Sequence, residues 1–371
     1  MPEAALSGSD TTSNWRAPRL RILANGALLT GVVDAEVISN NHYAADRFAA
    51  SITLGVDVWA AASFWSSEPD ILVDVQFSLD GGASFTSLVQ GTVDSVVIDP
   101  ITGSIHLDGR DFTAPLVETR TQETFVNRTA SEIASLLAKR HNLTPCVSPT
   151  STPVGRYYQD EHDRVTLDQF SRATTEWDLL VFLACQEGFD VFVEGTSLHF
   201  QPVAQHTDPA VLLRPSDLTD LRLERSLTLA RDIEVTVKSW NSRQNSAFVQ
   251  KARAACRSGT GRSGGRPQNY VYVRPNLTPD DALKLAQRKL AELTRHERVI
   301  ELSMAGELAM TPRSMIMLDG TGSDFDQVYF VDLIERRLQT RSGFTQHIRA
   351  KNTSPRTETT ASPDAADAAT A

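Results

Sequence analysis

In the first third of the chain, short runs of β-branched and aromatic residues alternate with polar residues and stop at turn-forming residues. Alternation with a period of two is typical of strands that bury one face. The turns Asn25-Gly26 and Asp80-Gly81-Gly82 lie between such runs and predict hairpins. The predicted strands are Leu20–Leu23, Val32–Ile38, Phe48–Leu54, Ile71–Leu79 and Ser84–Val97. We therefore expect a β-barrel or sandwich at residues 17–111, after a flexible arm at 1–16.

The stretch from Val93 to Leu116 predicts the end of this β unit. A strand rich in β-branched residues is followed by a turn at Asp99-Pro100 and by a second alternating strand. We expect Gly109 to free the backbone for a turn and Asp111 to cap a helix by accepting N–H bonds from its first turn. Pro115 fits the first turn of that helix, where its missing N–H has no partner to lose.

The hydrophobic period then changes from two to that of helices. Two capping boxes, Thr129–Glu132 and Thr166–Gln169, predict the beginnings of two helices. Asn142 and Gly188 are expected to end them. A hairpin is predicted from the strands Phe189–Val193 and Ser197–Phe200 around the turn Glu194-Gly195. We interpret residues 112–204 as a small α+β domain.

The last third returns to strand patterns around one amphipathic helix. Thr278 and Pro279 predict that this helix spans 279–296. The predicted strands are Leu221–Leu229, Asp232–Trp240, Tyr270–Val273, Val299–Met304, Ser314–Leu318, Val328–Leu338 and Phe344–Arg349. They predict a second barrel at 205–350, interrupted by a flexible, basic loop at Lys251–Pro267. The composition of residues 351–371 is typical of a disordered tail.

The composition of the chain disfavours several classes of function. The chain of 371 residues has a formal net charge of −10, which disfavours a general DNA-binding surface and suits one past which DNA slides. The cysteines Cys146, Cys185 and Cys256 are odd in number and lack C-x-x-C spacing, so a disulfide framework or zinc site is not expected. There is no long apolar run and no signal-peptide pattern at the N-terminus, so neither a membrane span nor secretion is expected.

Three short stretches match motifs that carry chemistry in other proteins. Gly259–Gly264 fits G-x-G-x-x-G and Gly261–Gly265 fits G-x-S-x-G, but a basic polar run precedes them and Pro267 follows, so the strand–turn–helix context is missing. We interpret them as a flexible loop, or as one that orders against a neighbouring subunit or a phosphate-rich partner. Asp160–Asp163 is interpreted as a solvated loop rather than a metal site.

Other candidates also have structural interpretations. Three N-x-[ST] sites, at Asn127, Asn142 and Asn276, are expected to shape the ends of helices rather than carry sugars. Trp177 and Trp240 are expected to be core or interface anchors. No catalytic, cofactor-binding or metal-binding residue is predicted.

Several stretches resemble the phage late control protein D family, whose members are baseplate or tail-tip hub proteins. The first is Leu107–Leu116, with its Gly-Arg-Asp sequence before a helix. The others, in the same order as in the family, are Asp232–Asn241, Arg274–Thr278 with the helix to Arg298, Thr311–Arg313, Leu318–Gly322 and Phe325–Tyr329. The resemblance spans roughly residues 20–350.

The resemblance implies an α+β, β-rich fold with two β-barrels of the tail-tube type flanking the small α+β domain. It also implies a homotrimer whose six barrels match a six-fold tube, and it brings no catalytic residues or cofactors. The expected function is a structural, non-enzymatic adaptor between the tail tube and a three-fold spike or tip protein. The tape-measure protein is a further possible partner, and DNA would pass through the channel without specific binding. The expected location is the virion tail, assembled in the cytoplasm of a bacterial host.

Two alternatives remain open at the level of sequence. One is a hub of a bacterial contractile injection system or prophage-derived particle. The other belongs to a different class, a sugar-binding or glycan-degrading tail-tip β protein. That alternative requires paired carboxylates and aromatic side chains lining a cleft.

Overall fold

The computed structural model describes residues 16–55, 61–157, 164–165, 175–203, 211–227, 233–241, 246–254, 268–274, 277–294, 296–352 and 359–362. The chain divides into two compact units. The first unit comprises residues 1–209, 303–314 and 332–348, and the second comprises 210–302, 315–331 and 349–371. Both are rich in strands, and the predicted α+β, β-rich fold class is confirmed.

The strands are β1 Arg19–Ala24, β2 Ala27–Leu28, β3 Val32–Asn40, β4 Arg47–Thr53, β5 Leu72–Ser78, β6 Thr86–Asp99, β7 Ser104–Asp111, β8 Thr144–Val147, β9 Arg156–Tyr157, β10 Arg164–Val165, β11 Phe189–Glu194, β12 Ser197–Pro202, β13 Val211–Leu213, β14 Asp220–Arg225, β15 Ile233–Asn241, β16 Ser246–Ala254, β17 Gln268–Val273, β18 Arg298–Ala305, β19 Met315–Leu318, β20 Val328–Gln339, β21 Gly343–Asn352 and β22 Thr359–Ser362. The α-helices are α1 Ala62–Ser67, α2 Ala114–Glu118, α3 Ala130–Arg140, α4 Glu176–Glu187 and α5 Pro279–Thr294, and a 3₁₀ turn spans Pro215–Asp217.

An antiparallel sheet in the order β2-β1-β5-β6-β7-β4-β3 forms most of the first unit. The segment Leu333–Gln339 of β20 extends it by pairing with β3, which explains why a late part of the chain belongs to the first unit. Asn25 and Gly26 have positive φ angles of 48° and 81°, as the predicted hairpin turn requires. Alternate side chains of these strands form one hydrophobic core, which includes Ile22, Phe77 and Leu107.

The α+β part of the first unit packs α3 and α4 on the three-stranded sheet β11-β12-β8. The capping box at Thr129 and Glu132 is present, and Asn142 ends the region of α3 with a positive φ of 57°. The prediction for the start of the next helix is wrong, because α4 begins at Glu176 after a capping box of Thr175 and Asp178. The predicted box at 166–169 lies outside the described residues.

In the second unit, α5 packs on one face of the sheet β17-β15-β16-β22. Thr278 caps α5 by accepting the N–H of Asp281, and the helix ends at Thr294, two residues before the predicted end. Three strands of this unit were not predicted, and the first of them is β13. Residues Lys251–Ala254, expected to open the flexible loop, belong to β16, and β22 lies in the tail that was expected to be disordered. The rest of the loop, residues 255–267, lies outside the described residues.

The structure also corrects two details of the predicted junction. Gly109 does not make a turn but lies within β7, where a Cβ atom would lie 2.3 Å from the Phe48 ring. Asp111 accepts the N–H and the hydroxyl of Thr113, and Thr113 rather than Asp111 occupies the N-cap position of α2. Pro115 lies in the first turn of α2, as predicted.

Candidate functional site

One face of the first unit's sheet is polar although its other face forms the core. On β3, β4, β6, β7 and β20 the residues that point away from the core carry most of the charge. The carboxylates on this face are Asp34, Glu36, Asp94, Asp108 and Glu335, and the guanidinium groups are Arg47, Arg110 and Arg337. We call these residues the acid-rich face. Carboxylates outnumber guanidinium groups on it.

Small side chains form the floor of the acid-rich face. Ala49 lies between Glu36 and Asp108 across neighbouring strands, and Ser51 lies between Asp34 and His106. The Ser51 hydroxyl donates to Asp34 Oδ1 at 2.9 Å and lies 3.1 Å from His106 Nδ1. The result is a shallow open trough rather than an enclosed pocket. Such a surface can lie along a large polar macromolecule but does not enclose a small ligand.

Two of the three guanidinium groups on this face are bound to carboxylates. Arg337 forms an ion pair with Glu36 on the neighbouring strand. Arg110 binds Asp94 at 2.5 Å and also Glu118, and these partners raise the pKa of Arg110. The Asp108 side chain is exposed. Because carboxylates are in excess and two of the three guanidinium groups are paired, the net negative charge governs how this face interacts with a polyanion.

A second arrangement in the first unit brings two carboxylates together. Asp46 precedes β4 and Asp111 ends β7, and the pairing of these strands places the N–H of Asp111 3.0 Å from the carbonyl oxygen of Asp46. Burial raises the pKa of Asp46 to about 6. Burial and, next, the nearby charge of Asp46 raise the pKa of Asp111 to about 7.

Aromatic side chains and an arginine complete this cleft. The Arg313 guanidinium lies 3.5 Å from the centre of the Phe192 ring and binds Asp190 at 2.9 Å. The indole N–H of Trp177, which is buried, donates to the Tyr43 carbonyl oxygen at 2.7 Å. Sequence reasoning did not identify this cleft, because its residues are distant in the chain and only strand pairing brings them together.

The hydrogen bonds of the two carboxylates indicate a structural role. Asp46 Oδ1 accepts from the backbone N–H of Asn40 at 2.9 Å and from its side-chain amide at 3.1 Å. Asp111 accepts from the backbone N–H and hydroxyl of Thr113 at 3.1 Å and 3.0 Å. Each carboxylate therefore holds its own turn, which leaves little room for a substrate. The cleft links the end of the β-sheet to the α+β part of this unit.

The structure locates only some of the residues weighed from sequence. Trp177 is a core residue, whereas Trp240 on β15 is 50% exposed. The stretches Asp160–Asp163 and Gly259–Gly265 lie outside the described residues. In the part of the chain that is described, no cluster of three or more potential metal ligands occurs. Across the same part, none of the helices combines the length and the apolar character that a membrane crossing requires.

Comparison with known proteins finds similar structures but no similar sequences. No family's sequence profile matches the chain, and no curated protein matches it. The 43 kDa tail protein of prophage MuSo2 from Shewanella oneidensis has a TM-score of 0.65 at 16% identity, over 91% of this chain and 99% of that chain. The tail protein from Neisseria meningitidis MC58 has a TM-score of 0.65 at 16% identity, over 91% of this chain and 97% of that chain.

A third similar structure comes from a secretion system. The E. coli c3393 protein is described as a component of the type VI secretion system with similarity to the T4 bacteriophage tail proteins gp27 and gp5. Its TM-score is 0.53 at 10% identity, over 89% of this chain and 76% of that chain. At such identities the likeness establishes the fold. The chain therefore has the fold of phage tail proteins.

Proposed function

We propose that this protein is the structural hub of a phage-type tail, a trimeric adaptor between a six-fold tail tube and a three-fold spike or tip. The observation that carries the proposal is the match to two tail proteins over 91% of this chain and nearly all of theirs. A match of this extent includes both units and the α+β part. The proposal gives the chain a geometric role and no reaction.

The acid-rich face supports a specific orientation in this assembly. We infer that it lines the bore through which DNA passes. A bore lined by unpaired carboxylates such as Asp108 repels phosphate groups and keeps DNA from adhering. The opposite face of the same strands forms the hydrophobic core and cannot face the bore.

A hub of a bacterial contractile injection system is the second candidate. The similarity to the E. coli c3393 protein, a component of the type VI secretion system, favours it. The two candidates share the trimer and the axial position. The genes on either side of this one distinguish them, because a tape-measure gene and capsid genes in the same cluster indicate a phage.

The cleft at Asp46 and Asp111 gives the sugar-processing alternative its paired carboxylates and aromatic rings. We assign it no reaction, since both carboxylates accept hydrogen bonds from their own turns. Incubation of the protein with bacterial cell-wall and capsular glycans, followed by analysis of reducing ends, is expected to show no release of sugar. Release that disappears in an Asp46→Asn variant would establish the alternative.

The proposed location at the end of the tail is tested by antibody labelling. Antibodies against this chain, applied to purified particles and viewed by electron microscopy, are expected to label one end of each tail. Label along the whole tail, or on the capsid alone, would contradict the proposal.

The role of the acid-rich face is tested by neutralising it. We expect a variant with Asp34→Asn, Glu36→Gln and Asp108→Asn to assemble into tails but to slow DNA ejection, because phosphate groups are no longer repelled. A control with Glu68→Gln, Asp70→Asn and Glu224→Gln removes as many exposed carboxylates elsewhere and should eject normally. Equal ejection rates for the two variants would contradict the inferred orientation.

A further inference from the structure

Among the residues that the structure describes, the end of strand β6 is an unpaired edge with exposed apolar side chains. Residues Ser95–Asp99 pair with β7 on one side, while β5 pairs with β6 only as far as Thr92. On the other side of Ser95–Asp99 no strand pairs with them among the described residues. Val97, in the middle of this segment, is 54% exposed, and Ile101 at the tip of the hairpin is 94% exposed.

The turn that presents Ile101 is well ordered by its own hydrogen bonds. The Asp99 carboxylate accepts the N–H groups of Ile101 and Thr102 at 2.8 Å and 3.1 Å. Gly103 supplies the positive φ of 69° that the turn needs. An apolar side chain held in this way in water indicates a contact surface, because ordering it costs little when a partner binds.

Strand β17 in the second unit offers a second edge of the same kind. It pairs with β15 on one side and is the last strand of its sheet in the part of the chain that is described. Tyr270 and Tyr272 pack against the core beneath α5, whereas Val271 and Val273 point away from it. Val271 is 52% exposed and Val273 is 70% exposed.

We propose that the β6 edge of one copy of this chain, Ser95–Asp99, pairs with the β17 edge, Asn269–Val273, of the next copy. This inference rests on the proposed homotrimer. A closed ring with cyclic symmetry of three needs two different, mutually complementary surfaces on each chain, since a surface that binds its own copy gives dimers. The two edges meet this requirement, and their pairing covers both rows of unpaired backbone groups.

Charge favours the mixed pair over a pair of identical edges. Asp94 and Asp99 bound the β6 segment, whereas Lys238 and Arg274 are exposed beside the end of β17. Two β6 edges brought together would place these carboxylates against each other, which is unfavourable for directly opposed strands. The β6 edge opposite β17 instead places carboxylates near an ammonium and a guanidinium group.

Cysteine cross-linking tests the proposed contact. Val97 and Val271 are the central residues of the two segments, so they meet whether the strands run parallel or antiparallel. In a full-length chain with Cys146, Cys185 and Cys256 changed to Ser, we introduce Val97→Cys and Val271→Cys together or singly. Oxidation is carried out at concentrations where native mass spectrometry of the parent shows the trimer, or on assembled tails.

The double variant is expected to give a covalent trimer, and a reducing agent is expected to convert it back to single chains. Each single variant alone is expected to give no covalent product, and a mixture of the two single variants is expected to give covalent dimers and nothing larger. Cross-linking of Val97→Cys with itself would contradict the mixed pairing. A parent trimer in which the double variant does not cross-link would overturn the edge contact while leaving the proposed function intact. The absence of a trimer even on assembled tails would overturn both.

A charge placed at the edge gives an independent measurement. Val97→Asp is expected to raise the dissociation constant of the trimer at least tenfold, because a charged side chain replaces the apolar contact with Val271 of the neighbouring copy. Val33→Asp is the control, since Val33 is a similarly exposed valine of the same unit and lies on β3. Equal dissociation constants for these two variants would contradict the proposed contact.

Discussion

At the scale of single residues, Gly109 shows how close the strands of the first unit lie. A Cβ atom there would lie 2.3 Å from the Phe48 ring and 2.3 Å from the carbonyl oxygen of Thr92. Gly109→Ala must therefore displace both a core ring and a neighbouring strand, and we expect it to lower the free energy of unfolding by about 3 kcal/mol. Denaturant unfolding measures this change, with Thr86→Ala, at an exposed position of β6, as control. A loss below about 1 kcal/mol would show that the Phe48 ring and the neighbouring strand can move aside at little cost in free energy.

The cleft carboxylates predict an unusual dependence of stability on pH. The pKa of Asp111 is raised to about 7 by burial and then by Asp46, so the folded chain binds this proton more tightly than the unfolded chain does. The contribution is fully present below pH ~4 and is lost as pH rises through 7. The parent is expected to lose on the order of 3 kcal/mol of its free energy of unfolding between these pH values, measured by urea unfolding at each pH. Asp111→Asn has no carboxyl to titrate at this position and should not show this loss.

A second variant separates the two causes of this shift. Asp46→Asn removes the neighbouring charge but leaves Asp111 buried, so the pKa of Asp111 should fall and the remaining loss of stability should occur at lower pH. If the pH profiles of Asp111→Asn and of the parent coincide, the cleft does not hold the protonated carboxyl described here.

Sequence reasoning could not find this pair. Asp111 was expected only to cap a helix, and no local pattern relates it to Asp46. The antiparallel pairing of β4 with β7 places Arg47 opposite Arg110, and this long-range register brings the two carboxylates together. Gly109 was wrongly predicted to be a turn residue. A glycine is needed there because the Phe48 ring of another strand occupies the place of a Cβ atom.

At the scale of elements, local patterns predicted most strands, the ends of α3 and the start of α5. The exceptions have physical reasons. Lys251 and Arg253 made the end of β16 resemble a loop, yet both alternate with the buried Ala252, which packs in the core beneath α5. The predicted start of α4 was displaced because Thr166–Gln169 fits the same capping pattern as Thr175–Asp178.

The capping box of α4 gives a prediction at this scale. Thr175 Oγ1 accepts the N–H of Asp178 at 3.1 Å, and Asp178 Oδ2 accepts the N–H of Thr175 at 3.1 Å. Thr175→Ala is expected to lower the free energy of unfolding by about 1 kcal/mol, because the N–H of Asp178 loses its acceptor. Thr175→Ser keeps the oxygen and should remain close to the parent. Equal losses for the two variants would mean that the methyl group, and not the cap, stabilises the helix.

At the scale of the whole molecule, the fold could be predicted from strand periodicity and from the resemblance, and the comparisons confirm it as a tail-protein fold. The surfaces could not be predicted in the same way. The acid-rich face depends on which side of each strand is buried. The edges of β6 and β17 that no described strand covers depend on where strand pairing stops. Both properties belong to the folded sheet rather than to any local sequence.

The central claim is that three copies of this chain form the axial hub of a tail. The most direct measurement is a cryo-electron microscopy reconstruction of the assembled tail tip. We predict three copies on the tail axis, with Asp34, Glu36 and Asp108 facing the bore and β6 of each copy beside β17 of the next. A position outside the tube axis, or a copy number other than three, would contradict the account.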